Sequence, residues 1–348
     1  MQLTDLFPHP IIQGPMAGGA NTPAMVAAVC NAGGLGSLAA SLLSPAVISE
    51  QVAQIRALST KPFAINLFVQ QTPAPTDDEI AQGVALLKPV WSALGWETLP
   101  LPAKWCESFE AQFALLLELK PAVASFTFNI LSAAQVEALH AAGIKVVGTV
   151  TTLAEALAWQ AVGADAVVAS GIEAGGHRGT FLVPQQAATQ SVWELGAEVC
   201  AALSIPVILA GGMMNGMDIA RALKMGAQAV QMGTAFLVTD ESGIHPAYKQ
   251  RLINAGPDQA STRLTRSFSG RHARGLENRF MHLMAEVESR VPAYPVQNAL
   301  TGSIRAHAGK VADTEMMSLW AGTRVHLTRA MAVKDLMALL LEELQQAV

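Results

Sequence analysis

Short runs of apolar and β-branched residues recur along the chain, without the alternation of polar positions that marks a half-exposed strand. Uninterrupted apolar runs are typical of strands buried on both faces, as in a parallel sheet. Eight such runs are predicted to be strands: residues 10–16, 34–39, 63–69, 122–128, 145–150, 166–171, 206–211 and 229–234. Ala-rich stretches of helical character separate these runs, so the chain is predicted to alternate between strands and helices.

The Ala-rich stretches carry start and stop signals for helices. Thr22 and Ser44 precede a proline, as N-caps often do, and Ser132 and Thr152 each begin a capping-box pattern, the latter with Glu155. Helix ends are predicted at four glycines that each lead into a strand: Gly33, Gly143, Gly163 and Gly226. Strand–helix alternation with eight strands predicts an α/β fold, a TIM (β/α)8 barrel.

Two regions do not fit this repeat. Residues 70–119 are too long for one strand–helix connection, and they are predicted to form an insertion near the barrel mouth. The alternative is that they pack against the outer helices. Residues 245–348 are polar, helix-prone and rich in Arg and His, and they are predicted to form an added, mostly helical subdomain and a C-terminal segment that cover the active face. The barrel itself is predicted to span residues 1–244.

Composition and charge argue against several classes of function. The 348 residues are 51% hydrophobic and 14% charged, which supports a large core, and the formal net charge of −5 without a basic cluster argues against nucleic acid as a partner. No apolar segment is long enough to span a bilayer, and the first residues lack the features of a secretory signal. Cys30, Cys106 and Cys200 lie alone in apolar sequence, so we expect no metal site, reduced thiols and a cytoplasmic location.

Glycines follow the predicted seventh and eighth strands, where barrel enzymes commonly bind phosphate. Gly211, Gly212 and Gly233 would leave backbone N–H groups free to face an anion. The chain has no P-loop, and no GxGxxG follows the first strand, so ATP and a Rossmann dinucleotide site are disfavoured. A phosphorylated mononucleotide such as FMN is therefore the predicted cofactor.

His177 is the leading catalytic candidate among eight histidines. It follows the predicted sixth strand, and four glycines surround it: Gly171, Gly175, Gly176 and Gly179. A histidine held at a strand end of the barrel mouth is placed for proton transfer or hydrogen bonding. No GxSxG motif and no polar setting for a cysteine is present, so a nucleophilic triad is not predicted.

These motifs together resemble the class I nitronate monooxygenases, formerly called 2-nitropropane dioxygenases. The resemblance covers nearly the whole chain through residues 15–19, 31–36, 62–68, 125–128, 173–181, 231–236, 269–280, 295–301 and 318–322. The block Glu173-Ala-Gly-Gly-His177 is shared by a wider flavin superfamily, whereas the blocks at 269–280 and 318–322 make the class I assignment more specific.

The resemblance implies a TIM barrel with a helical subdomain, bound FMN and oxidation of alkyl nitronates by O2. It also implies propionate 3-nitronate as the favoured substrate, detoxification as the role and His177 as the catalytic residue. A nitronate or nitroalkane and O2 are thus the expected partners, and the oligomeric state is left open. The strand ends and the resemblance together predict these cofactor-binding residues: Pro15, Met16, Ala17, Asn66, Thr149, Ser170, Gly175, Gly176, Gly211, Gly212, Gln231, Met232, Gly233, Thr234, Trp320 and Gly322.

The chain departs from the family pattern at three places. Ser170 stands where the family usually has Gln, Asn129 replaces a Gly, and Thr323-Arg324 replaces Gln-Gly. We expect these changes to affect flavin contacts and substrate range more than the fold.

Two other functions stay open at this point. One is a flavin-dependent enoyl-acyl-carrier-protein reductase or an NAD(P)H:quinone reductase, either of which would reduce its flavin rapidly with NAD(P)H. The other is a non-catalytic flavin-binding protein, an alternative that Ser170 and Asn129 keep open.

Overall fold

The computed structural model describes residues 3–257 and 261–347. Its strands are β1 (Ile11–Gln13), β2 (Ser37–Ala39), β3 (Ala64–Phe68), β4 (Val123–Thr127), β5 (Lys145–Val150), β6 (Ala166–Ser170), β7 (Gly176–His177), β8 (Val207–Ala210), β9 (Ala229–Met232), β10 (Thr262–Thr265) and β11 (Ala273–Leu276). Its α-helices are α1 (Pro23–Asn31), α2 (Pro45–Leu58), α3 (Asp77–Leu86), α4 (Lys88–Ala93), α5 (Phe109–Leu119), α6 (Ala133–Ala141), α7 (Leu153–Ala161), α8 (Val192–Ala202), α9 (Gly216–Lys224), α10 (Pro246–Ile253), α11 (Arg279–Met284), α12 (Val296–Leu300), α13 (Gly302–Lys310) and α14 (Val333–Ala347).

Eight strands form one parallel sheet that closes into a barrel. Its order is β1-β9-β8-β6-β5-β4-β3-β2, and a parallel bridge between Ile12 and Leu35 joins the two ends. At this bridge the N–H of Leu35 donates to the carbonyl of Ile11, and the N–H of Gln13 donates to Leu35, both at 3.0 Å. Each of the eight predicted runs contains one barrel strand, so the predicted TIM barrel is confirmed.

Most of the predicted helix ends are also confirmed. Thr22, Ser44 and Ser132 cap α1, α2 and α6 through their side-chain oxygens, and the four predicted glycine ends all have φ between 82° and 104°. Thr152 accepts from the N–H of Glu155, but the Glu155 carboxylate does not return to Thr152. The predicted capping box is therefore only half formed, because Glu155 is fully buried and binds other backbone groups.

Tight contact between the barrel and its helices is clearest at β5. Trp159 on α7 is fully buried, and its indole lies against the backbone of Gly148. A Cβ atom on Gly148 would come within 2.2 Å of the Trp159 ring. Glycine at this position therefore allows the helix to approach the strand, which fixes the position of the next residue, Thr149, at the barrel mouth.

One part of the insertion at residues 70–119 packs against the barrel, and another part packs against the C-terminal region. Helix α5 packs against α2 and β3, so it occupies the place of an outer barrel helix. Helices α3 and α4 instead contact α12 and α11, and they share a second hydrophobic core with the C-terminal region through Leu87, Val90 and Leu99.

Different parts of the region after residue 244 also pack in different places. Strands β10, β11 and β7 form a small antiparallel sheet, which ties the chain around residue 177 to residues 262–276. Helix α14 does not lie with the rest of the predicted C-terminal cover. It packs against α9 and α1 on the outside of the barrel. Its residues Leu336, Met337 and Leu340 belong to the hydrophobic core between the strands and the outer helices. No helix in the described ranges is long and apolar enough to cross a membrane.

Candidate active site

A cavity of about 390 Å³ opens at the C-terminal ends of the barrel strands. Every site residue predicted from the sequence lines it except Met232. Gln231 and Gly233 do line the cavity, and the side chain of Met232 between them points to the opposite face of the strand, into the hydrophobic core between the strands and the outer helices. Met232 contributes through its backbone instead, since its carbonyl accepts the N–H of Gly14 at 2.9 Å.

A group of backbone donors lies where β8 and β9 end. The N–H groups of Gly212, Met213 and Gly233, here called the N–H cluster, donate to no protein group in the described part of the chain. Gly211 and Gly212 have φ of 118° and 68°, a backbone conformation that favours glycine. Among the described residues, a Cβ on Gly233 would meet only Met16, whose sulfur would be 3.6 Å away. Free backbone donors beside open space are suited to bind an anion.

Polar side chains of β3, β4 and β5 face the same cavity. The Asn66 amide nitrogen donates to the Ser125 carbonyl at 3.2 Å and to its hydroxyl at 3.0 Å, and the hydroxyls of Thr127 and Thr149 lie 3.3 Å apart. These bonds hold the Asn66 amide in one orientation. Ser170 also lines the cavity, and its hydroxyl accepts from Arg178 at 3.5 Å.

The catalytic candidate His177 is held by the small sheet rather than by a free loop. It pairs with Ala273 of β11, and its Nε2 lies 2.9 Å from the hydroxyl of Ser269. That hydroxyl donates to the Arg271 carbonyl at 3.0 Å, so Nε2 is the donor to Ser269. Nδ1 of His177 is then the unprotonated nitrogen, and it has no protein partner among the described residues.

Aromatic rings surround His177 and keep it neutral. Its ring centroid lies 5.5 Å from that of Phe128, 5.7 Å from Tyr294 and 5.6 Å from Trp320. Burial lowers the pKa of His177 to about 3, and the positive charges of Arg271 and Arg305 act in the same direction. The imidazole is therefore uncharged throughout the ordinary pH range.

Phe128 occupies a strained backbone position at the edge of this aromatic group. Its φ of 84° is unusual for a bulky residue, and such a conformation costs on the order of 1–3 kcal/mol. The Arg271 guanidinium lies 4.2 Å from the centre of the Phe128 ring, and it donates to the carbonyls of Arg178 and Thr180. These contacts hold the strained residue in place.

Arg305 brings an unpaired positive charge to the cavity, and sequence reasoning missed it. Its Nη2 donates to the backbone and side-chain oxygens of Asn298 at 2.6 and 3.0 Å, but no described carboxylate lies within ion-pair distance. Its Nε and the hydroxyl of Tyr294 are buried without a partner. Burial lowers the pKa of Arg305 to about 10 and raises that of Tyr294 above its usual value.

Nothing in the sequence separates Arg305 from an arginine on the surface of a helix. It lies in α13 together with His307 and Lys310, and its role depends on where α13 packs. Tyr294, which precedes the segment at 295–301 that resembles the family, could have been found by asking what lies beside that segment.

Glu155 and Arg178 fix the chain that follows His177. The Glu155 carboxylate accepts from the N–H of Phe181 at 2.6 Å and of Leu182 at 3.1 Å, as well as from Thr151. Arg178 is 1% exposed, and its guanidinium donates to the carbonyl of Gly171 at the end of β6. Most of these hydrogen bonds are to the backbone, so both groups contribute to the shape of the site.

Comparison with known proteins agrees with this geometry. A family model described as nitronate monooxygenase matches residues 1–343. A probable nitronate monooxygenase of Staphylococcus aureus (strain Newman) is 36% identical over 339 residues, covering 97% of this chain and 95% of that protein.

Two solved structures are similar over almost the full length. A nitroalkane oxidase from Streptomyces ansochromogenes has a TM-score of 0.91 at 40% identity, covering 99% of this chain and 98% of its own. FabK from Thermotoga maritima has a TM-score of 0.75 at 27% identity, covering 99% and 96%. The family match, the sequence relative and the site geometry lead to one conclusion: the chain belongs to the nitronate monooxygenase family, whose members are oxidoreductases that act on small molecules and whose membership implies a flavin cofactor.

Proposed function

We propose that this protein uses FMN to oxidise alkyl nitronates with O2, that propionate 3-nitronate is its favoured substrate and that it detoxifies nitro compounds. The observation that carries the substrate proposal is the unpaired Arg305 guanidinium, in the same cavity as a neutral His177. A buried charge without a counter-charge is costly to retain, so its presence in a cavity favours an anionic ligand.

The residues present fit FMN. The N–H cluster supplies donors for a phosphate, and the polar side chains of Asn66, Thr149 and Gln231 can meet the polar edge of a flavin ring. The cavity volume of about 390 Å³ lies within the usual range for cofactor sites. When bound, the flavin would accept electrons from the nitronate and pass them to O2.

Arg305 and Tyr294 would bind a carboxylate on the substrate. Propionate 3-nitronate carries a carboxylate besides its nitronate group, and both ends are negative. The free Nε–H of Arg305 and the unpartnered hydroxyl of Tyr294 are two donors that one carboxylate could accept. This would place a substrate's reacting end towards His177, whose ring lies 5.7 Å from that of Tyr294.

His177 has a different task for each form of substrate. A nitronate has already lost its α-proton, so its oxidation needs no base. A neutral nitroalkane must first lose that proton, and the unprotonated Nδ1 of His177 is the group in the cavity suited to take it. The aromatic rings around His177 make this side of the cavity largely apolar.

An anaerobic reduction experiment tests the reaction class. Purified protein with bound flavin is mixed without O2 with propionate 3-nitronate and, separately, with NADPH. We expect bleaching of the flavin absorbance with the nitronate and none within the same time with NADPH. Rapid reduction by NADPH alone would instead support the alternative of a flavin-dependent reductase, and no reduction by either would support a non-catalytic flavoprotein.

A comparison of substrates tests the role of Arg305. In Arg305→Leu the KM for propionate 3-nitronate should rise roughly 10- to 100-fold, because a charge-assisted hydrogen bond is lost. The KM for ethyl nitronate, which has no carboxylate, should change little. Arg305→Lys keeps the charge and should recover part of the loss. Equal effects on both substrates would contradict a carboxylate site.

A further inference from the structure

Arg324 lies beside the N–H cluster. Its side chain lines the cavity, and its Nη1 donates to the Gly212 carbonyl at 2.9 Å. A Cβ on Gly212 would meet the Cδ of Arg324 at 3.6 Å. Two residues earlier, the N–H of Gly322 donates to the Thr234 hydroxyl at 2.9 Å, which ties the same segment to the end of β9.

Most of the donors of Arg324 are unused. Nη1 also contacts both carboxylate oxygens of Asp218 at 2.7 Å, so its two hydrogens are taken by Gly212 and Asp218. A guanidinium has five N–H donors, and in the described residues Nε and Nη2 of Arg324 have no partner. Three donors beside a free N–H cluster are therefore available to a ligand.

Asp218 forms an ion pair with Arg324, which holds the arginine side chain in one orientation and balances the charge of the carboxylate. The Asp218 carboxylate accepts from the N–H groups of Met214 at 2.8 Å and Asn215 at 3.3 Å, at the start of α9. A carboxylate there would repel a phosphate at the N–H cluster. Arg324 balances that charge and is held by it in one orientation.

We propose that Arg324 binds the phosphate of the flavin through its free N–H groups and so makes the site selective for a phosphorylated flavin over riboflavin. This proposal rests on the proposed use of FMN. A phosphate ester carries between one and two negative charges at neutral pH and three acceptor oxygens, which match a cluster of backbone and guanidinium donors.

Flavin binding to the flavin-free full-length protein provides the test. FMN and riboflavin are titrated separately and followed by quenching of flavin fluorescence, with Arg324→Met as the main variant. We expect the Kd for FMN to rise about tenfold and the Kd for riboflavin to stay within about twofold, because riboflavin lacks the phosphate. Arg221→Met removes an arginine from α9 that stacks on Trp193 outside the cavity, and it should change neither Kd.

A double variant tests whether Arg324 binds the phosphate directly or only balances the charge of Asp218. In Asp218→Asn/Arg324→Met no carboxylate remains unbalanced, and the tenfold loss for FMN should persist if Arg324 itself donates to the phosphate. Recovery of FMN binding in this double variant would overturn the proposal, since Arg324 would then serve only to neutralise Asp218. Equal losses for FMN and riboflavin in Arg324→Met would also overturn it, because they would indicate a purely structural role at Gly212. Failure of the unaltered protein to bind either flavin would instead contradict the proposed function.

Discussion

His177 illustrates what a single residue's sequence context can and cannot predict. The four glycines around it identified it as the catalytic candidate, and it does line the cavity. Its tautomer and its neutral state depend on Ser269 and on aromatic rings from four separate segments of the chain. No local pattern contains that information, because these contacts arise only when distant segments pack together.

The lowered pKa of His177 predicts a specific pH dependence of stability. Between an ordinary pKa near 6.5 and the folded value of about 3, the unfolded chain binds a proton that the folded protein does not. Stability should therefore fall on acidification below pH 6.5, by at most about 1.4 kcal/mol per pH unit from this group. Urea unfolding between pH 4.5 and 8 should show a shallower decline in His177→Gln. Identical declines in both proteins would contradict a buried neutral histidine.

Replacing His177 by Asn separates its two proposed tasks. Activity on neutral nitroalkanes should fall roughly 10²- to 10⁴-fold, because the proton acceptor is lost. Activity on a preformed nitronate should fall much less, since no proton has to leave. Turnover with both forms, normalised to flavin content, is the measurement. Small and equal losses would assign His177 a structural role.

At the scale of the element, capping patterns predicted helix ends well wherever their partners are local. Thr22, Ser44 and Ser132 bind backbone groups within three residues, so their sequence patterns are sufficient. Glu155 has the same local pattern, yet its carboxylate binds Phe181 and Leu182 near the active site. The sequence contains both options, and only the tertiary packing decides between them.

Substitutions of the glycines at the ends of β8 and β9 are expected to have different effects. Gly233 has an ordinary negative φ of −102° and space for a side chain, so Gly233→Val should fold normally but block the approach of an anion to the N–H cluster. Gly212 has φ of 68°, so Gly212→Val should lose stability as well as flavin. Flavin occupancy and thermal melting should be measured on both variants. Full occupancy in Gly233→Val would place the anion elsewhere.

At the scale of the whole molecule, the order of strands and helices was predictable, because apolar runs and glycines repeat with the barrel. The surfaces against which the added segments pack, residues 70–119 and 245–348, were harder to predict. Residues 77–93 pack with the C-terminal region, whereas α5 from the same insertion packs on the barrel. Both parts form helices, and which surface each one covers depends on segments far along the chain.

The intact protein is expected to purify with its cofactor. The N–H cluster and the unpaired donors of Arg324 lose their hydrogen-bond partners when the site holds no phosphate, so tight retention of FMN is expected. The preparation should be yellow without added flavin, and acid extraction followed by mass spectrometry should recover FMN. Recovery of FAD, or a folded protein without flavin, would contradict the site as described.

The position of α14 has a consequence for how the protein forms in the cell. This helix fills the gap between α1 and α9, and Glu343 accepts from the N–H of Gly216 at the start of α9. During synthesis, the surface of α1 that packs against α14 lacks this contact until residues 333–347, far along the chain, have been made. Contacts between such distant segments form slowly, and the incomplete barrel is open to aggregation. We therefore expect the barrel to finish folding only after residues 333–347 leave the exit tunnel.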